Sequence, residues 1–411
     1  GLTGQSGGTV SPGSPASSVG TLTVNGALTL ASGSTFVANV TPGLGNDLIV
    51  VSGAANIGGN LIVNAATGSY GFNQSFTLVS AGSVTGTFSS TTVGSFGVAL
   101  IPTVTYLPTS VVLRLSPGSL VAAGAGTLFG NPLAVATAFD TAVANGFNAQ
   151  QFFALYTQGP NLSNALSQLS GELHSVERRV LLEETRVIRE AAFDRLNAGL
   201  AAIAGSQVVT AEKDDAAINY WFRGAGSWGT AKADRIGTRF TTEQAGFLTG
   251  LDYSKNGFTV GGMFHYLRNK IQTDGLGQST VETTGGALYA GYRRDGGGLV
   301  VNAGGSISGN KAIGSRAITT PGLAQGLTSQ YSGTTYQAFG EVAFDLAAST
   351  NVRLEPFARF SYTWLKSGAF AETGGFAATY GSAQTVELGT STLGVRAATN
   401  VGPAKVSASA G

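Results

Sequence analysis

"VRLEPFARFSYTWLK", Val352 to Lys366, alternates apolar and polar residues over fifteen positions. Successive side chains of a strand point to opposite faces, so Val352, Leu354, Phe360, Tyr362 and Trp364 share one side and Arg353, Glu355, Arg359 and Ser361 the other. Alternation alone does not separate a membrane strand from a strand of a soluble sandwich, whose apolar face is its inside. The length of the run makes the distinction. Soluble strands run about five or six residues, whereas a tilted strand needs roughly nine to eleven to cross a bilayer, and fifteen leaves some to project beyond it. Aromatic residues toward the end of the apolar face suit the boundary between hydrocarbon and water.

The same period recurs from Ile218 onward. Ile218, Tyr220, Phe222 and Trp228 alternate with Asn219, Arg223 and Ser227, and Phe258, Val260, Phe264 and Tyr266 with Thr259 and His265. Tyr336, Ala338, Val342, Phe344 and Leu346 alternate with Gln337, Glu341 and Asp345. About eight long segments follow Ile218, ending with Val386 to Asn400, and "AKVSASAG" begins a ninth. The pattern predicts an antiparallel transmembrane β-barrel over residues 211–411, truncated before closure. Arg223, Glu341, Arg353, Glu355 and Arg359 are expected to face its lumen, and Phe258, Val260 and Phe264 to face lipid.

Just upstream the character changes. Between Glu172 and Arg195 stand eleven charged residues, Glu172, Glu177, Arg178, Arg179, Glu183, Glu184, Arg186, Arg189, Glu190, Asp194 and Arg195, whereas the whole stretch before Asp140 holds only Asp47 and Arg114. Leu162, Leu166, Leu169, Leu173, Val176 and Val180 step by four and three, which predicts one helix from Leu162 to Leu196 with the charges mostly off its apolar stripe. A charge-rich helix on its own usually marks a solvated surface. Its position directly before the first membrane-like strand favours a helix threaded through a polar lumen, with signs balanced against inward Arg, Glu and Asp. Glu183 and Glu184 beside Arg186 and Arg189 read as ion pairs along the helix.

Residues 1–118 consist of short β-like pieces such as "TLTVNGALTLASGSTFVANV" and "DLIVVSGAANIGGNLIVNA", nearly uncharged and separated by small turns. They predict coils of a right-handed parallel β-solenoid rather than a sandwich, because the pieces are short and Gly-Gly and Asn turns recur. Residues 119–210 read as a helical linker. The 411 residues include 61 glycines and no cysteine, 11% are charged and the net charge is +1, against about 25% charged in an ordinary soluble domain. A near-neutral chain offers no field for phosphate backbones, so nucleic acid is not an expected partner. Disulfides and thiolate metal sites are excluded. The chain opens on Gly1 without a signal-peptide pattern and reads as a fragment. The uncharged run after Arg114 is broken by Gly and Asn-Pro and makes a poor membrane helix. Gly224 to Gly229 matches G-x-G-x-x-G, but inside a strand with no βαβ unit; its glycines are expected to let the strand bend or the helix approach. The two histidines, His174 and His265, fall in different elements, and no G-x-S-x-G occurs. No enzyme activity, no cofactor and no metal are expected.

Three motifs in order carry a resemblance to one family. "GSTFVANVTPGLGNDLIVVSGAANIGGNLIV" with "GSYGFNQSFTLVSAGSVTGTF" resembles the last coils of bacterial autotransporter passengers. "NPLAVATAFDTAV" and "LSQLSGELHSVERRVLLEETRVIREAAFDRL" resemble the family's linker and helix, and "YWFRGAGSWGTAKAD" its first barrel strand. The resemblance implies a type V secretion protein with a twelve-stranded barrel in the Gram-negative outer membrane and its N-terminal region at the cell surface. It implies that the last solenoid coils help the passenger fold, so that deleting Asp47 to Phe88 should leave insertion intact and make the passenger protease-sensitive. Implied partners are outer-membrane lipid, the barrel assembly machinery, periplasmic chaperones and host or cell-surface ligands of the passenger; a surface adhesin for which the barrel is only an anchor is the alternative. Twelve strands about 4.8 Å apart and tilted about 40° enclose roughly 24 Å, enough after inward side chains for a helix of about 10 to 12 Å. Family members that release their passenger cyclise an asparagine at an Asn-Asn junction; none occurs here, Asn197 being followed by Ala198. Gly411 stands where the family ends on an aromatic residue, so residues 1–411 alone are expected not to form a stable barrel until three or four strands are added.

Overall fold

The computed structural model describes all residues except 14–18, 69, 198–205, 214–215, 236, 295–296, 347–351, 402–403 and 411. Two compact units are present: residues 1–170 with 319–324, and residues 171–318 with 325–411.

In the first unit three parallel sheets recur coil after coil. Strands Leu2–Gly4, Leu28–Leu30, Ala54–Ile57 and Ser83–Gly86 stack on one face; Thr9–Val10, Thr35–Thr41, Asn60–Ala65 and Ser90–Val93 on a second; Thr21–Val24, Leu48–Val51 and Ser75–Ser80 on a third. Leu2 pairs with Leu28, Leu28 with Ala55 and Ala54 with Ser83, so each strand lies beside its equivalent one coil further along the chain. Inward positions are apolar and fully buried, among them Leu28, Phe36, Val40, Ile49, Leu61 and Leu78. This is the β-solenoid expected from the short alternating pieces. Asp47, buried, clamps adjacent turns: its Oδ1 accepts from the Gly20 amide at 2.7 Å and its Oδ2 from the Asn39 amide and Asn39 Nδ2, both at 2.9 Å. The solenoid ends earlier than expected. After Val93 the chain makes an antiparallel hairpin, Leu100–Leu107 with Ser110–Pro117, whose second strand pairs antiparallel with Ser75–Ser80 and covers that edge.

Among the described residues four α-helices follow, α1 Leu120–Ala123, α2 Gly130–Ala144, α3 Leu162–Gln168 and α4 Glu172–Leu196, with 3-10 turns at Ala149–Thr157 and Gly159–Asn161 between α2 and α3. Asp140 of α2 caps α1, accepting from the Leu120 amide at 2.8 Å and from Ser119 Oγ at 2.6 Å. The single helix expected from Leu162 to Leu196 is two. Gly171 sits at φ 65°, a left-handed conformation that stops α3 and serves as the N-cap of α4. The leucine spacing runs through the break because Leu169 and Leu173 keep a four-residue step on either side of it.

Among the described residues the second unit is built on one antiparallel sheet of ten strands in sequential order: β1 Ser206–Lys213, β2 Ala216–Ala231, β3 Phe240–Lys255, β4 Phe258–Thr273, β5 Gly277–Arg293, β6 Gly298–Ile318, β7 Gln325–Asp345, β8 Val352–Ser367, β9 Gln384–Val401 and β10 Ala404–Ala410; Phe370–Ala371 and Tyr380–Gly381 form a separate short pair. Strand β1 was not read from the sequence, since Ser206 to Lys213 carries no apolar alternation long enough to mark it. Strands β2 to β9 have 16 to 21 residues, the length that distinguishes this sheet from a soluble sandwich. One face is exposed and apolar, with Ile218, Tyr220, Phe222, Phe258, Val260, Phe264, Leu288, Val342 and Phe360. The other is turned inward onto α4. No helix among the described residues is long and apolar enough to cross a membrane.

Inward glycines make room for large rings. A Cβ at Gly261 would lie 2.5 Å from the Tyr289 ring, and one at Gly304 would lie 2.6 Å from the Phe339 ring. The glycines of the G-x-G-x-x-G stretch do nothing of the kind: no atom lies within 4 Å of a Cβ at Gly224, and those at Gly226 and Gly229 meet only ordinary contacts. They lie within β2 as expected, but they do not bring the helix closer.

Candidate functional site

α4 is enclosed by inward side chains from both flanks of the sheet. Near its C-terminal end Asp194 meets Arg223 of β2 at 2.7 Å, and Arg195 meets Asp252 of β3 in two bonds of 2.8 and 3.1 Å. On the opposite flank Glu190 meets Arg359 of β8 at 2.9 Å, and Arg189 donates to Ser361 at 2.8 Å. Arg195 also lies over the Trp221 ring, and Arg359 over the Phe193 ring.

Beyond the helix the charges continue into a network on the sheet. Glu341, fully buried, accepts from Arg359, from both terminal nitrogens of Arg396 at 2.8 and 2.9 Å, and from Asn302 at 2.9 Å. Glu355 takes Arg293 at 2.6 Å and also Arg396; Asp345 takes Arg353. Arg223, Glu341, Arg353, Glu355 and Arg359 thus each pair with a charged side chain of α4 or of another strand. Asn197, the C-cap of α4, joins the same network: its Oδ1 accepts from Arg293 at 2.9 Å and its Nδ2 donates to Glu341 at 3.2 Å.

The N-terminal half of α4 is held differently. Glu172 accepts from the Thr238 amide at 2.6 Å, in the segment between β2 and β3. Glu177, fully buried, takes His174 Nδ1 at 3.0 Å together with the hydroxyls of Ser279 and Tyr331. On its other side His174 meets Glu372 at 3.0 Å, and Arg316 binds the same carboxylate at 2.6 Å. Glu372 belongs to residues 368–383 between β8 and β9, and it also accepts from the Thr379 amide at 2.8 Å. Phe370 of the same segment packs on the His174 ring, centroids 3.9 Å apart. The segment is thus folded inward over the start of α4, fastened by Glu372, by the bridge from Thr328 to Thr373 and by Gln325, which accepts from the Ala377 amide at 3.0 Å. Glu372→Ala would take from a buried Arg316 its carboxylate, leaving the Ala377 carbonyl, at a cost of about 3 kcal/mol, and the expected result is roughly a hundredfold faster protease cutting between 373 and 380. Unchanged cutting would show that the Thr328 to Thr373 bridge holds the segment without Glu372.

The eleven helix charges divide into two groups. Glu172, Glu177, Glu184, Arg189, Glu190, Asp194 and Arg195 contact the sheet or the segments joining its strands. Arg178, Arg179, Glu183 and Arg186 do not pair with its charges: Arg179 and Glu183 bond each other at 2.9 Å while both stay exposed, Arg178 reaches Ser175 at 3.4 Å, and exposed Arg186 borders a cavity of about 370 Å³ with Ser361 and Thr390. The ion pairs expected for Glu183 and Glu184 with Arg186 and Arg189 are not what forms. One helical step turns Glu184 onto the buried face, where it accepts from Asn269 at 3.1 Å and Thr283 at 3.0 Å.

Nor is the interior uniformly polar. Ile188, Ala192, Phe193 and Leu196 pack against Trp221, Leu267, Tyr289 and Phe339, and Leu173, Val176, Val180 and Leu181 pack against Phe240, Ile271, Val281 and Leu365. The apolar stripe of the helix is therefore matched by an apolar stripe inside the sheet, and the charges flank it.

The arrangement is a long antiparallel sheet, apolar outside, wrapped on a charged helix that precedes it in the chain. The profile of one protein family, the autotransporter β-domain, matches residues 220–411. The C-terminal part of the chain is the β-domain of a bacterial autotransporter. Two proteins from Serratia marcescens, each described as an extracellular serine protease, are 30% and 31% identical to this autotransporter over 261 and 263 residues, 63% of its length. It spans about a quarter of either relative, 24% of their length. Among solved structures the translocator domain of the autotransporter NalP from Neisseria meningitidis aligns with 54% of the chain and 73% of its own, at 19% identity and a TM-score of 0.36.

Sequence reading of this autotransporter missed Asp252, Arg293, Asp345 and Arg396 as network members, and His174, Arg316 and Glu372 as a cluster. For the first four a signal existed: each falls on the polar side of an alternating strand. Glu372 had none, since 198 residues separate it from His174.

Proposed function

We propose that the chain carries its own N-terminal region out through the Gram-negative outer membrane and holds it at the cell surface. The observation that supports this is the direction of α4 inside the sheet. Its first residues bond to segments 232–239 and 368–383, at the end where the other joins are 274–276 and 319–324. At the opposite end, beside Arg195 and Asn197, the joins are mostly shorter, namely 214–215, 256–257, 294–297, 346–351 and 402–403. Outer-membrane barrels keep short turns on the periplasmic side and longer loops outside. The chain preceding Glu172 then leaves by the outer mouth, and the solenoid coils follow it. Lipid contacts the apolar face, and the assembly machinery and chaperones of the family deliver the barrel.

Because the chain has no cysteine, single cysteines report sides directly. In whole cells a membrane-impermeant maleimide should label Ser83→Cys and Asp274→Cys, and should label Lys255→Cys only after the outer membrane is opened. Labelling of Lys255→Cys on intact cells would reverse the orientation and end the proposal.

The residues of this chain act in this proposal as conduit and anchor, not as catalyst. The name of the Serratia proteins describes whole chains of which this one spans about a quarter. The 411-residue chain is expected to remain unlabelled by a fluorophosphonate probe, and labelling at any serine would overturn that part.

A further inference from the structure

Outward-facing charges are scarce on strands β2 to β9, and their distribution is uneven. On β2, β3, β7 and β9 the outward positions carry two acids, Glu243 and Glu387, and Lys255 at the short-turn end of β3. On β4, β6 and β8 they carry four cations, Arg268, Lys270, Lys311 and Lys366, all exposed. Glu282 of β5 lies 3.7 Å from Arg268, Glu243 stands directly across from Lys270, and Glu387 directly across from Trp364. Counted from the short-turn end of each strand, Phe258 to Arg268 is ten residues, Phe258 to Lys270 twelve, Gly298 to Lys311 thirteen and Val352 to Lys366 fourteen. With about 3.3 Å per residue and a tilt near 40° that is roughly 25 to 35 Å along the axis, so the four cations lie from the outer edge of an apolar band about 25 Å tall to about 10 Å beyond it.

Directly below that edge the same strands carry a groove of about 880 Å³ on the exposed face. Gly262, Gly286 and Gly305 form its floor, and Phe264, Leu288 and Ile307 rise from it on the same three strands. Tyr336 and Trp364 close it toward β8, where Lys366 lies 5.4 Å from the centre of the Tyr336 ring. A flat lipid-facing wall needs no such recess; adjacent glycines open it and bulky neighbours give it sides.

We propose that the outer face of β4 to β8 binds a phosphorylated glycolipid of the outer leaflet, one acyl chain lying in the glycine-floored groove and its phosphates set against Arg268, Lys311 and Lys366. The proposal rests on the outer-membrane reading above. Charge complementarity selects the occupant: at the depth where phosphates of the outer leaflet sit, Lys311 and Lys366 form no ion pair with any carboxylate among the described residues, and the groove beneath is lined mainly by glycines and apolar side chains. An unphosphorylated lipid would fill the groove and leave the cations unused. A free phosphate would use the cations and leave the groove empty.

The test uses the full-length protein extracted from outer membranes, with R268Q/K311Q/K366Q as the variant and K255Q, at the short-turn end, as control. Rough-type lipopolysaccharide, phosphatidylglycerol and inorganic phosphate are added separately. Retained lipid is read by native mass spectrometry, and folding by heat-modifiable gel mobility. The expected result is one lipopolysaccharide molecule retained by the wild type and by K255Q, at least tenfold weaker retention by the triple variant, and no comparable retention of phosphatidylglycerol. Equal retention by the triple variant, equally tight phosphatidylglycerol, or saturation by phosphate alone would overturn the proposal. If the triple variant does not insert, K311Q and K366Q singly carry the test, each expected to bind severalfold more weakly, and equal binding would again overturn it. Absence of a heat-modifiable band from the wild type would instead refute the barrel reading, so the two failures are distinct.

Discussion

Glu341→Ala is expected to cost about 3 to 5 kcal/mol and to remove most of the heat-modifiable barrel from the membrane. Taking two charges out of water is costly, and a buried ion pair offsets that cost only while every partner is present. Here Arg189, Arg293, Arg353, Arg359 and Arg396 stand against Glu190, Glu341, Asp345 and Glu355, five positive charges against four negative. Glu341 sits at the centre of the set, its side chain 0% exposed, holding Arg359 and Arg396 and taking an amide from each of Asn302 and Asn197. Alanine leaves two guanidinium groups facing each other with one carboxylate fewer. Glu341→Gln keeps the volume and one acceptor oxygen, so it should fall between wild type and alanine. Glu341→Leu/Arg396→Leu removes both signs together and should recover part of the loss, as neutral replacement of a whole buried pair does elsewhere. The readout is the temperature at which the compact band converts to the unfolded one. An alanine variant that converts at the wild-type temperature would mean that the network does not hold the barrel.

What the sequence revealed of this fold follows the range of each interaction. Alternation is local, so the sidedness of Phe258, Val260 and Phe264 against Arg353, Glu355 and Arg359 could be read residue by residue, and the structure keeps it. Solenoid coils were legible for the same reason: each short strand needs only its equivalents in the coils before and after it, as Leu28 needs Leu2 and Ala55. The break at Gly171 was legible in principle, since Ser170-Gly171 before Glu172 is a helix stop, but the leucine spacing across it is equally helical and masked it. The partners of α4 were not legible. Arg195 meets Asp252 and Glu177 meets Tyr331 across 57 and 154 residues, and which polar residue of a strand meets which turn of the helix depends on strand register, which no local pattern contains. The mixed interior escaped notice because Trp221, Tyr289 and Phe339 occupy positions on the polar side of their strands, where alternation alone expects small or charged groups. Their space comes from glycines on neighbouring strands, Gly250 for Trp221, Gly261 for Tyr289 and Gly304 for Phe339, whose role appears only once the strands are paired.

Leu288→Arg separates the membrane reading from every soluble alternative. Leu288 lies on the outward side of β5, 74% exposed, five residues from the short-turn end at Arg293. Its cross-strand partners are Gly262 and Gly305, so its side chain leans on no bulky neighbour and its loss opens no core. In water an arginine at an exposed strand position is nearly neutral, within about 0.5 kcal/mol. In lipid the same position is roughly 13 Å along the axis from the periplasmic edge, close to the middle of the band, where an arginine on the lipid face costs about 2 to 4 kcal/mol. Arginine at Thr284, four residues further along the same outward row and nearer the outer boundary, should cost less than half as much, because the penalty falls toward zero at the interface. The expected result is therefore a graded loss: Leu288→Arg sharply lowers the folded barrel recovered from outer membranes and Thr284→Arg lowers it little. A depth-independent pair, both harmless or both equally damaging, would mean that this face of the sheet is not in contact with lipid.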